Sequence, residues 1–247
     1  MKTLKRQTIS PDDIHLWSFC FKDLASDFDA LRSLCSRDEL ERAAHYRWTD
    51  DASRFILGRG QLRRLLEAYA GIPAEEVVLS YGPYGKPSLK AMSSLPDIRF
   101  NVSHTSEGIV YLFALGHDVG IDIETNPLKS DYFDDCSRIF SDKELAHLQG
   151  VRDDKRAEMI LTYWIRKEAC LKALGVGFSL GPENVDVSTA PEVMITCASA
   201  GEQRVQGNIL LVEDLHTIGT CSCAIAFEGS VAPKTLRCFV GGGPSLS

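Results

Sequence analysis

An α+β fold made of two similar halves is what this sequence predicts, and three observations lead there. Two long segments, 50–70 and 153–174, carry apolar residues at helical spacing, and each stops at a glycine, Gly71 or Gly175. Short apolar or alternating runs of strand type lie before and after them. The two helices also align at an offset of 104, pairing Ile56 with Ile160, Leu57 with Leu161, Arg63 with Lys167 and Ile72 with Val176. A pseudo-dimer of two α+β halves accounts for this weak repeat; chance similarity of two amphipathic helices is its rival.

Composition bounds the reading. The chain has 247 residues, 44% hydrophobic and 25% charged, the balance of a folded protein with a sizeable core. Its longest apolar run, Ile109 to Leu115, is far short of the roughly 20 residues that cross a bilayer. Met1 to Gln7 carries charge with no apolar stretch behind it, so no secretory signal is expected. The net charge of -7 argues against non-specific nucleic-acid binding. Residues 1–117 hold 15 Lys/Arg and 15 Asp/Glu, and residues 118–247 hold 12 and 19, so the whole deficit lies in the second half. That fits a cleft with an anion-binding side (1–117) and a metal-binding side (118–247); two ordinary halves of unequal charge explain it as well. The eight cysteines form no C-x-x-C pair and are expected to be reduced thiols of a cytoplasmic protein.

The elements follow in order. Ile14 to Phe19 alternates and predicts a strand. Ser36-Arg37-Asp38-Glu39 is a capping box opening a helix near Arg37. The helix 50–70 follows, then a short strand Val77–Leu79 and a Gly/Pro loop from Tyr81 to Pro87. Arg99 to Ser103 is a strand ending at His104. Ile109–Leu115 and Val119–Glu124, with Gly116-His117-Asp118 between them, predict a hairpin. Ser141 to Gln149 starts a helix with acids in its first turn, and the helix 153–174 follows. Short strands are expected at Val185–Val187, Val193–Cys197, Ile209–Val212 and Cys221–Phe227, with a frayed tail after Gly229.

Five groups of residues carry chemistry. Gly120-Ile121-Asp122-Ile123-Glu124 puts two carboxylates on one face of an apolar strand, a costly arrangement unless a cation compensates. Hard oxygen ligands at this spacing suit Mg²⁺ with substrate phosphate oxygens; an exposed polar face on an edge strand is the commoner use of D-x-E. Glu168 and Lys172 share a helical face in Trp164-Ile165-Arg166-Lys167-Glu168-Ala169-Cys170-Leu171-Lys172, as a solvated ion pair or as a metal and phosphate pair. Asn101-Val102-Ser103-His104 ends a strand with groups suited to an anion. Lys86 sits in Gly85-Lys86-Pro87, without P-loop spacing. Arg42, Arg47, Arg54, Arg59, Arg63 and Arg64 face only Asp50 and Asp51 in their stretch, and arginine suits phosphate geometry.

The order N-V-S-H, G-I-D-I-E, F-S-x-x-E at Phe140–Glu144 and W-x-x-K-E-A-x-x-K, with the upstream G-K-P, resembles the Sfp-type 4′-phosphopantetheinyl transferases over roughly residues 36–190. The resemblance implies an α+β pseudo-dimer with coenzyme A and Mg²⁺ (or Mn²⁺) in the cleft between its halves. It implies transfer of the phosphopantetheine arm to a serine of an apo acyl, peptidyl or aryl carrier protein. Carried over by motif, Asp122, Glu124 and Glu168 are the metal site. Asp122, Glu168 as base, and Lys172 at the pyrophosphate are the catalytic set. Ser103 and His104 contact coenzyme A phosphates, Lys86 the nucleotide, and Arg42 and Arg54 the 3′-phosphate. Glu39 stands where relatives often have a basic residue. After about Ser188 no motif applies. The expected molecule is a cytoplasmic monomer without nucleic-acid or membrane partners. Another Mg²⁺-dependent phosphotransferase or hydrolase, or a non-catalytic coenzyme A or carrier-binding protein, is the alternative.

Overall fold

The computed structural model describes residues 4–91, 94–125, 138–188, 190, 192–200, 203–216, 221–228, 233–241 and 243–244. The chain runs β1 (Asp13–Cys20), α1 (Phe21–Leu24), α2 (Phe28–Leu34), α3 (Arg37–Ala44), α4 (Thr49–Ala70), β2 (Leu79–Tyr81), β3 (Pro87–Leu89), β4 (Ile98–His104), β5 (Gly108–Leu115) and β6 (Val119–Thr125). It continues through α5 (Asp142–Gly150), α6 (Asp153–Leu174), β7 (Glu192–Ala200), β8 (Gln203–His216), β9 (Cys221–Glu228), β10 (Thr235–Val240) and β11 (Gly243–Pro244). The fold is α+β. A five-stranded sheet has the order β11-β10-β1-β5-β4, a four-stranded sheet the order β6-β9-β8-β7, and β2-β3 stand apart.

The long helices start and stop where local chemistry says they should. Gly71 and Gly175 close α4 and α6 with φ of 75° and 66°, the left-handed conformation that glycine adopts without strain. Ser36 and Ser141 each cap a following helix in a full capping box with Glu39 and Glu144. Those two glutamates are then used again. Glu39 Oε2 lies 2.8 Å from Arg63 Nε, and Glu144 Oε2 lies 2.6 Å from Lys167 Nζ, both pairs being buried. Arg63 donates onward to the carbonyls of Ala74 and Val77, and Lys167 to those of Pro182 and Val185. Each pair thus ties a capped helix, a long helix and the connection beyond it. Burial pushes the Lys167 ammonium below its ordinary range, and Glu144 opposes that.

Four sequence expectations change. The segments expected to pair as a hairpin, β5 and β6, lie in different sheets. Residues Gly108 to Ala114 and Val119 to Ile123 are buried on both faces, so edge pairing alone would leave one face of each strand bare. Instead Gly116, at φ 75°, turns the chain from one layer to the next. Val110, Leu112 and Ala114 then pack against Val119, Ile121 and Ile123 face to face. The expected strand at Val185–Val187 is not a strand; its backbone serves the Lys167–Glu144 pair, with Val187 N donating to Glu144 Oε1 at 2.8 Å. The strand expected at Val77–Leu79 forms two residues later and pairs with β3. The tail expected to fray after 229 includes β10, which pairs in parallel with β1 and stacks Phe239 on Trp17 at 4.1 Å. Of the eight cysteines, Cys20, Cys35, Cys170, Cys221, Cys223 and Cys238 are in no disulfide, and the expectations for Cys136 and for the Cys197 side chain lie outside what is described.

Candidate active site

The site lies where β4 of one sheet meets β6 of the other. The two strands are joined through side chains. Ile121 N donates to Asn101 Oδ1 at 3.0 Å, and Ser103 Oγ donates to Asp122 Oδ1 at 3.0 Å. Helix α6 lies directly on β6 at Gly120. A Cβ there would stand 1.9 Å from Ala169 O and 2.4 Å from Ala173 N, both helix backbone. One residue earlier on each turn come Glu168 and Lys172, so this close approach carries them alongside Asp122. Gly120→Ala is therefore expected to destabilise the fold by about 1–3 kcal/mol, the scale of an overpacked contact, checked by urea unfolding; parent-like stability would show that α6 stands off the strand.

Lys172 Nζ reaches Asp122 Oδ1 at 2.5 Å and Ser103 Oγ at 3.0 Å. Asp122 is 4% exposed. Asp122 Oδ2 and Glu168 Oε1 are buried and have no hydrogen-bond partner. Burial pushes the Glu168 carboxyl up to about 7; Lys172 opposes this, while Asp122 and Glu124 add to it. Glu124 is also raised, by burial first and then by Asp122, against Lys172 and a hydrogen bond from Trp164. A cavity of about 320 Å³ is lined by all three carboxylates together with Ser103, His104, Trp164, Lys172 and Phe178. Among the described residues no three His, Cys, Asp or Glu side chains form an assembled metal cluster, and the Lys172 ammonium sits against Asp122 Oδ1. The donor chemistry nonetheless fits Mg²⁺, which keeps several waters and needs only one or two carboxylates. Two buried carboxylate oxygens are left without a partner here.

A second cavity, of about 330 Å³, adjoins the first through Val102 and His104 and is lined by Arg42, Arg54 and Arg59. The arginines come from residues 1–117, as does Asp51 in the same lining, and the three carboxylates from residues 118–247. Burial lowers the His104 pKa, with Lys172 and Arg54 adding to the effect and the Thr105 backbone opposing it. His104 is thus a neutral hydrogen-bonding group near pH 7.

A family profile described as the 4′-phosphopantetheinyl transferase superfamily matches residues 118–215, and one described as 4′-phosphopantetheinyl transferase, N-terminal, matches residues 20–114. The 4′-phosphopantetheinyl transferase HetI of Nostoc sp. is 30% identical over 184 residues, covering 74% of this chain and 77% of its own length. The chain belongs to the 4′-phosphopantetheinyl transferase superfamily. The L-aminoadipate-semialdehyde dehydrogenase-phosphopantetheinyl transferase of Xenopus laevis is 30% identical over 173 residues, covering 65% of this chain and 57% of the relative. A 4′-phosphopantetheinyl transferase of Bacillus subtilis is 29% identical over 163 residues, covering 66% and 70%.

Within this phosphopantetheinyl transferase, Asp122, Glu124, Glu168, Lys172, Ser103 and His104 come together around one cavity, and Arg42, Arg54 and His104 around the next. Lys86, expected at the nucleotide, lines a cavity of about 220 Å³ together with Glu168 and Lys172. Its ammonium donates to Ala173 O at 2.7 Å, Val119 O at 3.2 Å and Asp118 Oδ1 at 3.4 Å, which uses all three protons. It ties the β2–β3 loop to the end of α6 and the start of β6. Arg54 is paired with Asp51 at 2.7 Å. Sequence reasoning missed Asn101 as the strap between the sheets and Phe178 as a wall of the acidic cavity. Phe178 is 61% exposed and stacks on Trp164 at 6.2 Å; nothing in its local pattern marks it. Among the described residues no helix is long and apolar enough to cross a membrane.

Proposed function

We propose that this cleft moves the 4′-phosphopantetheine arm of coenzyme A to a serine of an apo acyl, peptidyl or aryl carrier protein, as a cytoplasmic monomer of the Sfp type. The observation that carries the reading is the set of Asp122, Glu168 and Lys172 around one cavity, with a buried, unpartnered Glu168 oxygen and an ammonium held beside it. The serine oxygen attacks the β-phosphorus, an O–P bond forms, and the pyrophosphate bond to the nucleotide breaks. Glu168 Oε1 takes the serine proton; an acid whose pKa is near the working pH suits that task. Lys172 Nζ, oriented by Asp122 and Ser103, meets the charge that develops on the departing 3′,5′-ADP. Ser103 and His104 hold phosphate oxygens, and the arginine-lined cavity takes the nucleotide's 3′-phosphate.

Asp122, Glu124 and Glu168 would hold Mg²⁺, which when bound neutralises pyrophosphate charge. Two halves, residues 1–117 and 118–247, form a pseudo-dimer in this reading. Its support is the matched capping boxes, the glycine-closed 22-residue helices and the two equivalent buried ion pairs.

Mass spectrometry of an apo carrier protein incubated with this chain, coenzyme A and Mg²⁺ tests the assignment. A gain of one phosphopantetheine arm is expected; release of 3′,5′-ADP without carrier modification would make the chain a hydrolase. The same assay separates Lys172 from a plain surface ion pair. Lys172→Ala is expected to weaken coenzyme A binding and slow transfer, and Lys172→Arg to recover more of the binding than of the rate, because the guanidinium is larger and planar. Parent-like kinetics in both variants would remove Lys172 from the reaction.

A further inference from the structure

The acidic cavity has two ends. Val102 and His104 line it together with the arginine-lined cavity, whereas Trp164 and Phe178 line it and take no part in the other. Trp164 hydrogen-bonds Glu124, and Phe178 stacks on its ring with the planes 23° apart. Phe178 also lines the cavity of about 220 Å³ that Tyr84, Glu168 and Lys172 share. An aromatic rim thus borders Glu168 and Lys172 on a side that the arginine-lined cavity does not reach.

One exposed apolar side chain is ordinary on a protein surface. What sets Phe178 apart is how it is held out. Gly177 and Gly181, at φ 53° and 76°, bend the chain into a 3₁₀ turn over Gly177–Leu180. Ser179 Oγ donates to Val176 O at 2.6 Å, Gly181 N to Phe178 O at 3.0 Å and Asn184 Nδ2 to Leu180 O at 2.8 Å. Leu180 is buried in the core with the apolar residues of α6. A Cβ at Gly177 would lie 3.6 Å from Tyr84 Cβ, so the turn also packs against the loop between β2 and β3. The turn is pinned from both sides, yet Phe178 stays 61% exposed. A ring fixed in advance in this way loses little freedom when a partner covers it.

The chemistry of the reaction selects the partner. In phosphoryl transfer the attacking and leaving oxygens stand roughly in line across the phosphorus. In the reading above, the nucleotide lies on the His104 side. The attacking serine then arrives from the other end of the acidic cavity, where Trp164 and Phe178 stand and Glu168 takes its proton. A serine on a folded protein brings its neighbours with it, and these meet the rim first.

We propose that Phe178, backed by Trp164, is a specificity-determining anchor for the acceptor protein: it covers an apolar side chain beside the reactive serine and sets that serine in line with the leaving nucleotide. The inference rests on the transferase reading above and adds to it a surface for the second substrate.

The parent and its Phe178 variants are compared on apo acyl, peptidyl and aryl carrier proteins, in transfer assays and by calorimetric titration with each carrier after its reactive serine is replaced by alanine. In Phe178→Ala the KM for the carrier and the Kd of the serine-free carrier should both rise about 10-fold or more, the scale of a truncated aromatic anchor, while KM for coenzyme A changes less than about 2-fold. Phe178→Gln, which keeps bulk without apolar character, should lose as much, and Phe178→Leu should recover most of the loss. Because Phe178 is exposed, all three variants should melt close to the parent. Titration with coenzyme A and with 3′,5′-ADP separates a rival occupant: a Phe178→Ala that weakens coenzyme A but spares 3′,5′-ADP would place the pantetheine arm on Phe178 and overturn the proposal. Parent-like carrier KM and Kd in Phe178→Ala, or a parent that binds none of the three carriers, would overturn it as well. A parent that binds a carrier through Phe178 but transfers no arm to it would keep the surface and sink the transferase reading instead.

Discussion

Asp122→Ala is expected to lower phosphopantetheine transfer by at least about 10³-fold, because one substitution removes two functions. Asp122 Oδ1 orients Lys172 at 2.5 Å and Ser103 at 3.0 Å, and Asp122 Oδ2 is a buried oxygen without a hydrogen-bond partner. Without the carboxylate the ammonium loses its anchor and the proposed Mg²⁺ site loses a ligand. From the sequence alone, two carboxylates on one strand face look mutually repulsive, so removing one should stabilise the metal-free protein. The structure reverses that sign, since Asp122 is paired with Lys172. Losing a hydrogen-bonded pair of this kind costs about 1–2 kcal/mol, which in a chain of this size lowers Tm by about 2–8 °C. Transfer assays at saturating Mg²⁺, with thermal melts in chelator, check both parts. Activity within a few-fold of the parent would remove Asp122 from the metal site.

Glu168→Gln is expected to lower kcat by about 10²-fold or more, the scale of lost general-base catalysis, and to leave a distinct mark on stability. The Glu168 carboxyl stands at about 7 when folded against an ordinary value of 4.5, chiefly through burial. Between those values the unfolded chain has released a proton that the folded chain still holds. In metal-free buffer the parent therefore loses stability as pH rises from about 4.5 to about 7, and the loss stays constant above that. Glutamine has no proton to lose. The variant's Tm should match the parent's near pH 4, rise above it through pH 5–7, and stay above it at pH 8. A difference independent of pH would mean that Glu168 is ionised as in water.

The candidate site was legible to the extent that its signals are local. Asp122 and Glu124 share a strand face by period two, and Glu168 and Lys172 share a helix face by period 3.6. Ser103 and His104 end a strand whose bounds the apolar pattern marks. Lys86 was legible as a motif lysine but not in its hydrogen bonds, because its three acceptors lie 32 to 87 residues away in the chain. Arg59 was legible only as one of six arginines. The structure pairs Asp51 with Arg54 and Glu39 with Arg63, and pattern reading does not distribute carboxylates among arginines.

The sequence by itself determined the type and limits of most elements. The capping boxes at Ser36 and Ser141 and the left-handed glycines at 71 and 175 act within one or two turns of backbone, where hydrogen-bond geometry depends on neighbours in the chain. Only the tertiary structure decided that β5 and β6 stack in separate sheets, that β10 returns to pair with β1, and that Lys172 holds Asp122 across 50 residues. These depend on which apolar faces can be covered at once and on how close α6 comes to Gly120. That is a property of packing in three dimensions, which no stretch of residues carries alone.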